Sequence, residues 1–560
     1  MASGADLVRA YEADLETLDR AYPVRVSPAR LDRMEAFQQR WQADLEAADN
    51  VARTPASRVD VALLQSYIRV QLHGVARQRE AMARVRPLLA FADVIFDLEE
   101  DHRRHRRPAP DQTASRLDRL VSDVQSLTHA TGGDGASAPP GAARLADNAG
   151  DAHLCANAVE ELRDVLRKWF AFYDGFDPMA TWWLRGPTTE ADRVLGQYQE
   201  RLREAASPGG SIAGTPVGEE AIRRQLEDDL VAYDPTELLA IARRELAQCR
   251  AEMERCAQEM GLGDDWRSAL ERVKEMHVPP GDQPELVYGL AREAQSFIAD
   301  RDLVTVPPLC AETWRAEMMP PERQLVAPFF LGGEVVRISY PSDTMSIGQR
   351  LMSMRGNGIY LTRSIVFHEL IPGHYLQQFM TARHNAHRRL FRTPYWSEGN
   401  AFYWELLLWD LGFCRTPEER MGMLFWRAHR SARVIYTLGY HTGRMTTEQC
   451  VDFLVRELGH EADTAKGEVR RLFDPHYGPL YQCAYLIGAL QFQALNREFV
   501  QTGTLSARAF HDAILRQGPI LPPILRSLLR GEAPPTHPTW RFYDEIAAAA
   551  DGERPADPLD

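Results

Sequence analysis

The ten residues from Ile365 to His374 hold two imidazoles and a carboxylate in the order His368, Glu369, His374. Imidazole and carboxylate are the donors that a catalytic zinc takes, three from the protein with a fourth position left for water, and a carboxylate beside that water serves as base. The common arrangement is a helix with two histidines four residues apart and a glutamate after the first. Here the histidines are six residues apart, and at about 100° per residue the second points roughly 240° away from the first. An uninterrupted helix cannot show both to one ion. Pro372, however, stands four residues after His368, where its ring clashes with that residue's carbonyl and forces a kink or bulge. Deleting two residues would restore the usual spacing, so a two-residue expansion at Pro372 and Gly373 brings His374 back to the ion. On spacing alone the run reads equally well as a structural turn.

Further along, Glu398 and Glu405 are seven residues apart in a segment rich in aromatic and aliphatic side chains. Two helical turns put them on one face, and burying two carboxylates there is costly unless something positive lies opposite. A metal would satisfy them; a solvent-facing pair is the alternative. Two more stretches carry polar groups in apolar settings, Arg433 to His441 and Tyr485 to Gly488. Arg433, Arg444 and Arg470 could each hold a substrate carboxylate with both arms of the guanidinium, or each could form a structural ion pair.

The run His-Glu-Leu-Ile-Pro-Gly-His over 368–374, followed by Tyr375, Leu376 and Gln377, resembles the hallmark of the DUF885 family of bacterial proteins, itself similar to the gluzincin metallopeptidases. Trp396 to Glu405 is similar to that family's Glu-Gly-Trp-Ala segment, with Asn400 in place of the usual Trp. The Arg433–His441 stretch resembles a family segment in which Thr437 replaces an Asp. At Tyr485 to Gly488, Leu486 stands for a Lys. The resemblance implies one zinc ion held by His368, His374 and Glu398, with Glu405 orienting a histidine. It also implies Glu369 as general base, and His441 and Tyr485 as donors to the oxyanion of a tetrahedral intermediate. The activity implied is zinc-dependent hydrolysis of a peptide or amide bond, in a peptide or an amide-containing small molecule. Two other readings stay open: a metal-dependent hydrolase or lyase acting on a small metabolite, and a silent relative that binds ligand without catalysis.

The elements that must position these residues read as mostly helical. Over residues 5–100 apolar side chains recur at helical spacing, as in Leu64, Ile68, Leu72 and Val75. Another helix is expected over 158–172, and Asp234-Pro235-Thr236-Glu237 opens a third with a capping residue and Pro in its first turn. Segments 131–151 and 207–217 are rich in Gly, Pro and small residues and read as loops. The strand signal lies over 324–340, where β-branched and aromatic runs flank Gly332 and Gly333 and predict a hairpin; a short strand is also expected over 358–361. The expected fold class is mainly α, and the resemblance implies a large zincin-like architecture of gluzincin type with a small hairpin or sheet at the active-site cleft. A helical N-terminal region over 1–220 and a metal-binding region over 221–560 are expected to form one continuous body.

Composition sets the outer limits. The 560 residues, 44% hydrophobic and 26% charged, are those of an ordinary globular protein. A net charge of −14 argues against a nucleic-acid surface. One basic cluster, Arg103 to Arg107 before Pro108, reads as a solvated helix end. No apolar run approaches the roughly 20 residues of a membrane span, and no secretory pattern opens the chain. Seven scattered cysteines without a CxxC pair read as reduced thiols, so a cytoplasmic location is expected. Oligomeric state leaves no trace in these patterns.

Overall fold

The computed structural model describes residues 3–47, 54–130, 149–207, 212, 214–324, 329, 330, 332–473 and 477–547. The chain divides into two compact units: Arg9–Asp49 with Tyr67–Thr215, and Met1–Val8 with Asn50–Ser66 and Pro216–Asp560. Both are built mainly from helices. All seven cysteines are free.

In the first unit, long amphipathic helices including Pro110–Ala130, Ala149–Tyr173 and Pro178–Ala206 turn their apolar stripes inward. Leu117, Leu120, Leu162, Leu166, Leu195 and Tyr198 meet there in one core. The helix expected over 158–172 is therefore longer than its sequence signal, and residues 149–151 of the expected loop belong to it. The rest of that loop lies outside the described residues. The basic cluster is a helix end, as its sequence reads: Arg103 and Arg104 pair with Glu100, Arg106 with Asp101 and Arg107 with Asp177.

The second unit carries every candidate site residue. Its first long helix, α1 (Pro235–Glu259), starts as its sequence predicts: the Asp234 carboxylate accepts from the Glu237 amide at 2.8 Å, and Glu237 accepts from the Asp234 amide at 2.9 Å. The helices that matter most for the site are α2 (Ile359–Glu369), α3 (His374–Arg383), α4 (Pro394–Asp410), α5 (Pro417–His441), α6 (Ala462–Arg470) and α7 (Tyr481–Asn496). Helix α5 packs on α1, α2 and α7, while α4 lies closely along α7. That last contact depends on two glycines: a Cβ at Gly399 would fall 2.6 Å from the Gly488 Cα. Such proximity lets the backbones approach and fixes where Glu398 stands. An ion pair between buried Arg388 and Asp60, 2.7 Å long, joins the short Asn50–Ser66 segment to this unit.

The β structure corrects the sequence reading. Among the described residues the two strands, β1 (Arg315–Met318) and β2 (Val335–Ile338), pair in parallel with Arg315 opposite Val335, so the described partner of β2 comes from before residue 324; residues 325–328 and 331 of the expected hairpin lie outside the described residues. Gly332 and Gly333 carry the chain over the end of α2. A Cβ at Gly332 would lie 2.5 Å from the Glu369 carbonyl oxygen, and the Gly333 amide points to that oxygen at 3.4 Å. Residues 358–361 are helical, with Gly358 as the N-cap of α2. The mixture of β-branched and aromatic residues there serves a helix buried on all sides, an environment in which apolar periodicity is no guide.

Candidate metal centre

Helix α2 ends immediately after the pair that carries chemistry. Residues 361–368 are all buried, and the helix stops at Glu369 instead of continuing through a kink. The chain turns through residues 370–373, with a cis Ile371–Pro372 peptide, and a new helix starts at His374. Gly373 permits the turn, because a Cβ on it would sit 1.8 Å from the His368 carbonyl oxygen. His368 in the last turn of one helix thus meets His374 at the first position of the next. Their rings are 4.8 Å apart and nearly perpendicular.

Helix α4 brings Glu398 between them. Its Oε2 lies 3.4 Å from His368 Nε2 and 3.2 Å from His374 Nε2, is buried, and has no hydrogen bond. Ligand atoms about 2.0–2.1 Å from a tetrahedral zinc are about 3.3 Å from one another, so the spacing suits a common ion. One ligand atom from each of His368, Glu369 and His374 also fits within 4.8 Å. The donor set of two imidazoles and a carboxylate, with Glu369 alongside, fits zinc.

The surroundings fix these groups. Glu405, two turns along α4, meets His368 Nδ1 at 2.7 Å and so directs Nε2 toward Glu398. The Arg430 guanidinium on α5 donates to the same Glu405 oxygen at 3.3 Å. Tyr481 on α7 donates to Glu398 Oε1 at 2.5 Å, which leaves Oε2 for the histidines. His374 Nδ1 is 3.4 Å from the Gln377 side-chain oxygen. Gln377 in turn donates to Asn400 at 3.1 Å, which gives a local use to the residue that departs from the family pattern.

Charge follows from this packing. Burial would lower the proton affinity of His374, but the Glu398 carboxylate outweighs it and pushes the imidazole up to about 9. His368 is raised too, its burial outweighed by Glu398 and Glu405. Burial would raise Glu398, yet the two imidazoles hold it well below the usual carboxylate range. Glu369 is raised by burial, an environment that favours a proton acceptor over a permanently charged group.

Of the remaining expected site residues, Tyr485 adjoins the centre: its ring stacks on His368 at 6.2 Å. His441 makes no described contact with the cluster. It stands at the end of α5, two turns beyond Arg433, buried with both ring nitrogens unpartnered and its proton affinity lowered by burial to about 4. Tyr481, Arg430 and Gly332 carry no site role in the sequence reading. The four-residue spacing of Tyr481 and Tyr485, which places both on one helical face, is the signal that could have found the first.

Comparison with known proteins comes down to one family. The model of "Bacterial protein of unknown function (DUF885)" matches residues 10–529. The chain belongs to the DUF885 family. No curated protein matches it. Among solved structures, a "putative lipoprotein of unknown function" from Shewanella oneidensis is similar with a TM-score of 0.69 at 18% identity, over 95% of this chain and 100% of that one. A "putative lipoprotein" from Colwellia psychrerythraea has a TM-score of 0.55 at 15% identity, over 95% and 99%. Both likenesses concern the fold alone. No helix among the described residues is long and apolar enough to cross a membrane.

Proposed function

We propose that this DUF885 protein is a zinc-dependent hydrolase of amide bonds, built on a gluzincin-type helical scaffold and acting on peptides or amide-containing small molecules. The observation that carries the reading is the buried, unbonded Glu398 Oε2 lying 3.2 and 3.4 Å from two imidazole nitrogens. His368, His374 and Glu398 hold the ion. When bound, zinc supplies a Lewis acid that polarises the amide carbonyl and makes water acidic.

The chain's own residues do the rest. Glu405 keeps the His368 proton on Nδ1, and Tyr481 holds Glu398 by its other oxygen. Glu369 accepts a proton at its carboxylate and returns it to the leaving amine. Gly332 covers that carboxylate so closely that a Cβ would fall 2.2 Å from Oε2, which limits water on that side. The segment from Gly332 into β2 is the proposed support for an extended substrate backbone. Tyr485 and His441 are proposed oxyanion donors, Tyr485 being the one that adjoins His368. The proposed location is the cytoplasm, and cell fractionation tests it; recovery in a membrane fraction would overturn it.

The test is hydrolysis of a peptide library by the purified protein before chelation, after chelation and after zinc is restored. Loss and recovery of cleavage is expected. Zinc-dependent turnover of small metabolites without peptide cleavage would favour the metabolite reading, and full binding of zinc without turnover of either would favour a silent relative.

A further inference from the structure

Beside the candidate metal centre, among the described residues, one buried carboxylate is set against two arginines, one buried and one partly exposed. Arg433, 3% exposed, donates from Nε and Nη2 to Glu468 Oε2 at 3.1 and 2.8 Å. Arg471 donates to the other oxygen of the same carboxylate at 3.3 Å. Glu468 is fully enclosed, and its remaining neighbour, His429 Nε2 at 3.3 Å, belongs to an imidazole that burial and Arg433 keep neutral. One carboxylate therefore faces two guanidinium groups. Arg430 does not alter the balance, since Glu405 takes it. Nη1 of Arg433 is buried without any hydrogen bond. A buried charge is costly unless paired, so this arrangement has room for one more anion.

Tyrosines connect the surplus charge to the candidate ligands. The Arg433 guanidinium lies 4.5 Å from the centre of the Tyr485 ring, which stacks on His368. Arg471 lies 5.3 Å over Tyr477; Tyr477 stacks at 4.1 Å on Tyr481, and Tyr481 is bonded to Glu398. Arg471 keeps 24% of its side chain exposed, so the pair can be reached from solvent on its side. The other two arginines considered from the sequence do not share this setting. Arg444 is half-exposed and pairs with Glu219 at 3.6 Å, and Arg470 is exposed.

We infer that Arg471, backed by Arg433, binds a carboxylate of the substrate next to the amide being cleaved, so that the substrates are peptides with a free C-terminal carboxylate or an acidic side chain at that position. This rests on the reading of His368, His374 and Glu398 as the metal centre. Arg471 offers the hydrogen bonds, Arg433 adds positive potential from behind, and the tyrosine rings flank the substrate's terminal residue. A charge-assisted, forked contact of this kind gives geometric selection as well as affinity.

Binding and cleavage are tested separately. Isothermal titration of the zinc-loaded full chain carrying Glu369→Gln reads binding without turnover. The probes are N-acetyl-alanyl-phenylalanine, its C-terminal amide, and N-acetyl-alanyl-glutamic acid with only its terminal carboxylate amidated. The free acid should bind about 10- to 100-fold more tightly than the phenylalanine amide, and tight binding of the glutamyl amide would identify the side-chain source. Adding Arg471→Gln should abolish the preference, and Arg471→Lys should restore part of it. Glu468 keeps Arg433 in these variants, which protects folding. Equal affinity for acid and amide, no measurable binding of any probe, or a preference that survives Arg471→Gln would overturn the inference. Zinc-dependent cleavage of acid and amide peptides at equal rates would also overturn it while leaving the hydrolase reading standing. Arg471-dependent carboxylate binding without any zinc-dependent cleavage would do the reverse.

Discussion

Half-buried Glu369 and buried Glu398 lie within reach of the same two imidazoles, yet their surroundings pull them in opposite directions. The imidazoles hold Glu398 as an anion, whereas burial raises the proton affinity of Glu369. That difference agrees with the proposal that Glu398 is a ligand and Glu369 the base. Glu369→Gln should keep the zinc while the rate constant falls about 10²- to 10⁴-fold, with the Michaelis constant little changed; steady-state kinetics with metal analysis would show it, and a wild-type rate would remove Glu369 from the mechanism. Glu405→Ala, which leaves all three ligands in place and frees His368 to turn, should weaken zinc about 10- to 100-fold in a chelator competition. An unchanged affinity would make the 2.7 Å contact incidental. At this scale the residues that gather here were legible: type and spacing singled out His368, Glu369, His374, Glu398 and Glu405, and the family resemblance, not the spacing, suggested their roles. Tyr481 and Arg430 did not, since a tyrosine or arginine in an apolar helix has the same local pattern whether it meets a ligand or the core.

Among the elements, the break between α2 and α3 decides whether the two histidines can meet. The sequence shows that Pro372 must disturb the helix, but not whether the outcome is a kink or a new helix, because that depends on Gly373 passing over the His368 carbonyl. Replacing Pro372 and Gly373 together by Ala should favour a continuous helix and weaken zinc binding at least about 10-fold; full occupancy and rate would refute this geometric account. Helix approach offers a second test. Gly399→Ala would push against Gly488 and should destabilise the protein by about 1–3 kcal/mol, while Gly467→Ala in α6, which meets nothing within 4 Å, should be neutral or stabilise by up to about 1 kcal/mol. Denaturant midpoints compare the two, and equal shifts would mean that α4 and α7 can slide apart freely. The strands show where local pattern fails. Val335, Val336 and Ile338 mark β2, but Arg-Ala-Glu-Met of β1 has no β-branched residue and is largely exposed, so a sequence reading passes over β1 and takes the run before Gly332, of which residues 325–328 and 331 lie outside the described residues, as the partner of β2.

For the whole molecule, the mainly helical class was legible from periodicity and the family from its ordered motifs, and the family match spans residues 10–529. The division into units was harder to read, because Asn50–Ser66 joins the later part of the chain through contacts such as Asp60 with Arg388, distant in sequence and without local signature. The function proposed for the whole depends on one claim, that three side chains from separate helices converge on a zinc ion. The most direct measurement is zinc per chain, determined by mass spectrometry of the purified protein after equilibration with zinc and removal of loosely held metal. About one zinc in the wild type and almost none in Glu398→Ala, with both proteins folded, is the expected result. A wild type that retains no zinc, or a Glu398→Ala variant that retains as much as wild type, would contradict the account.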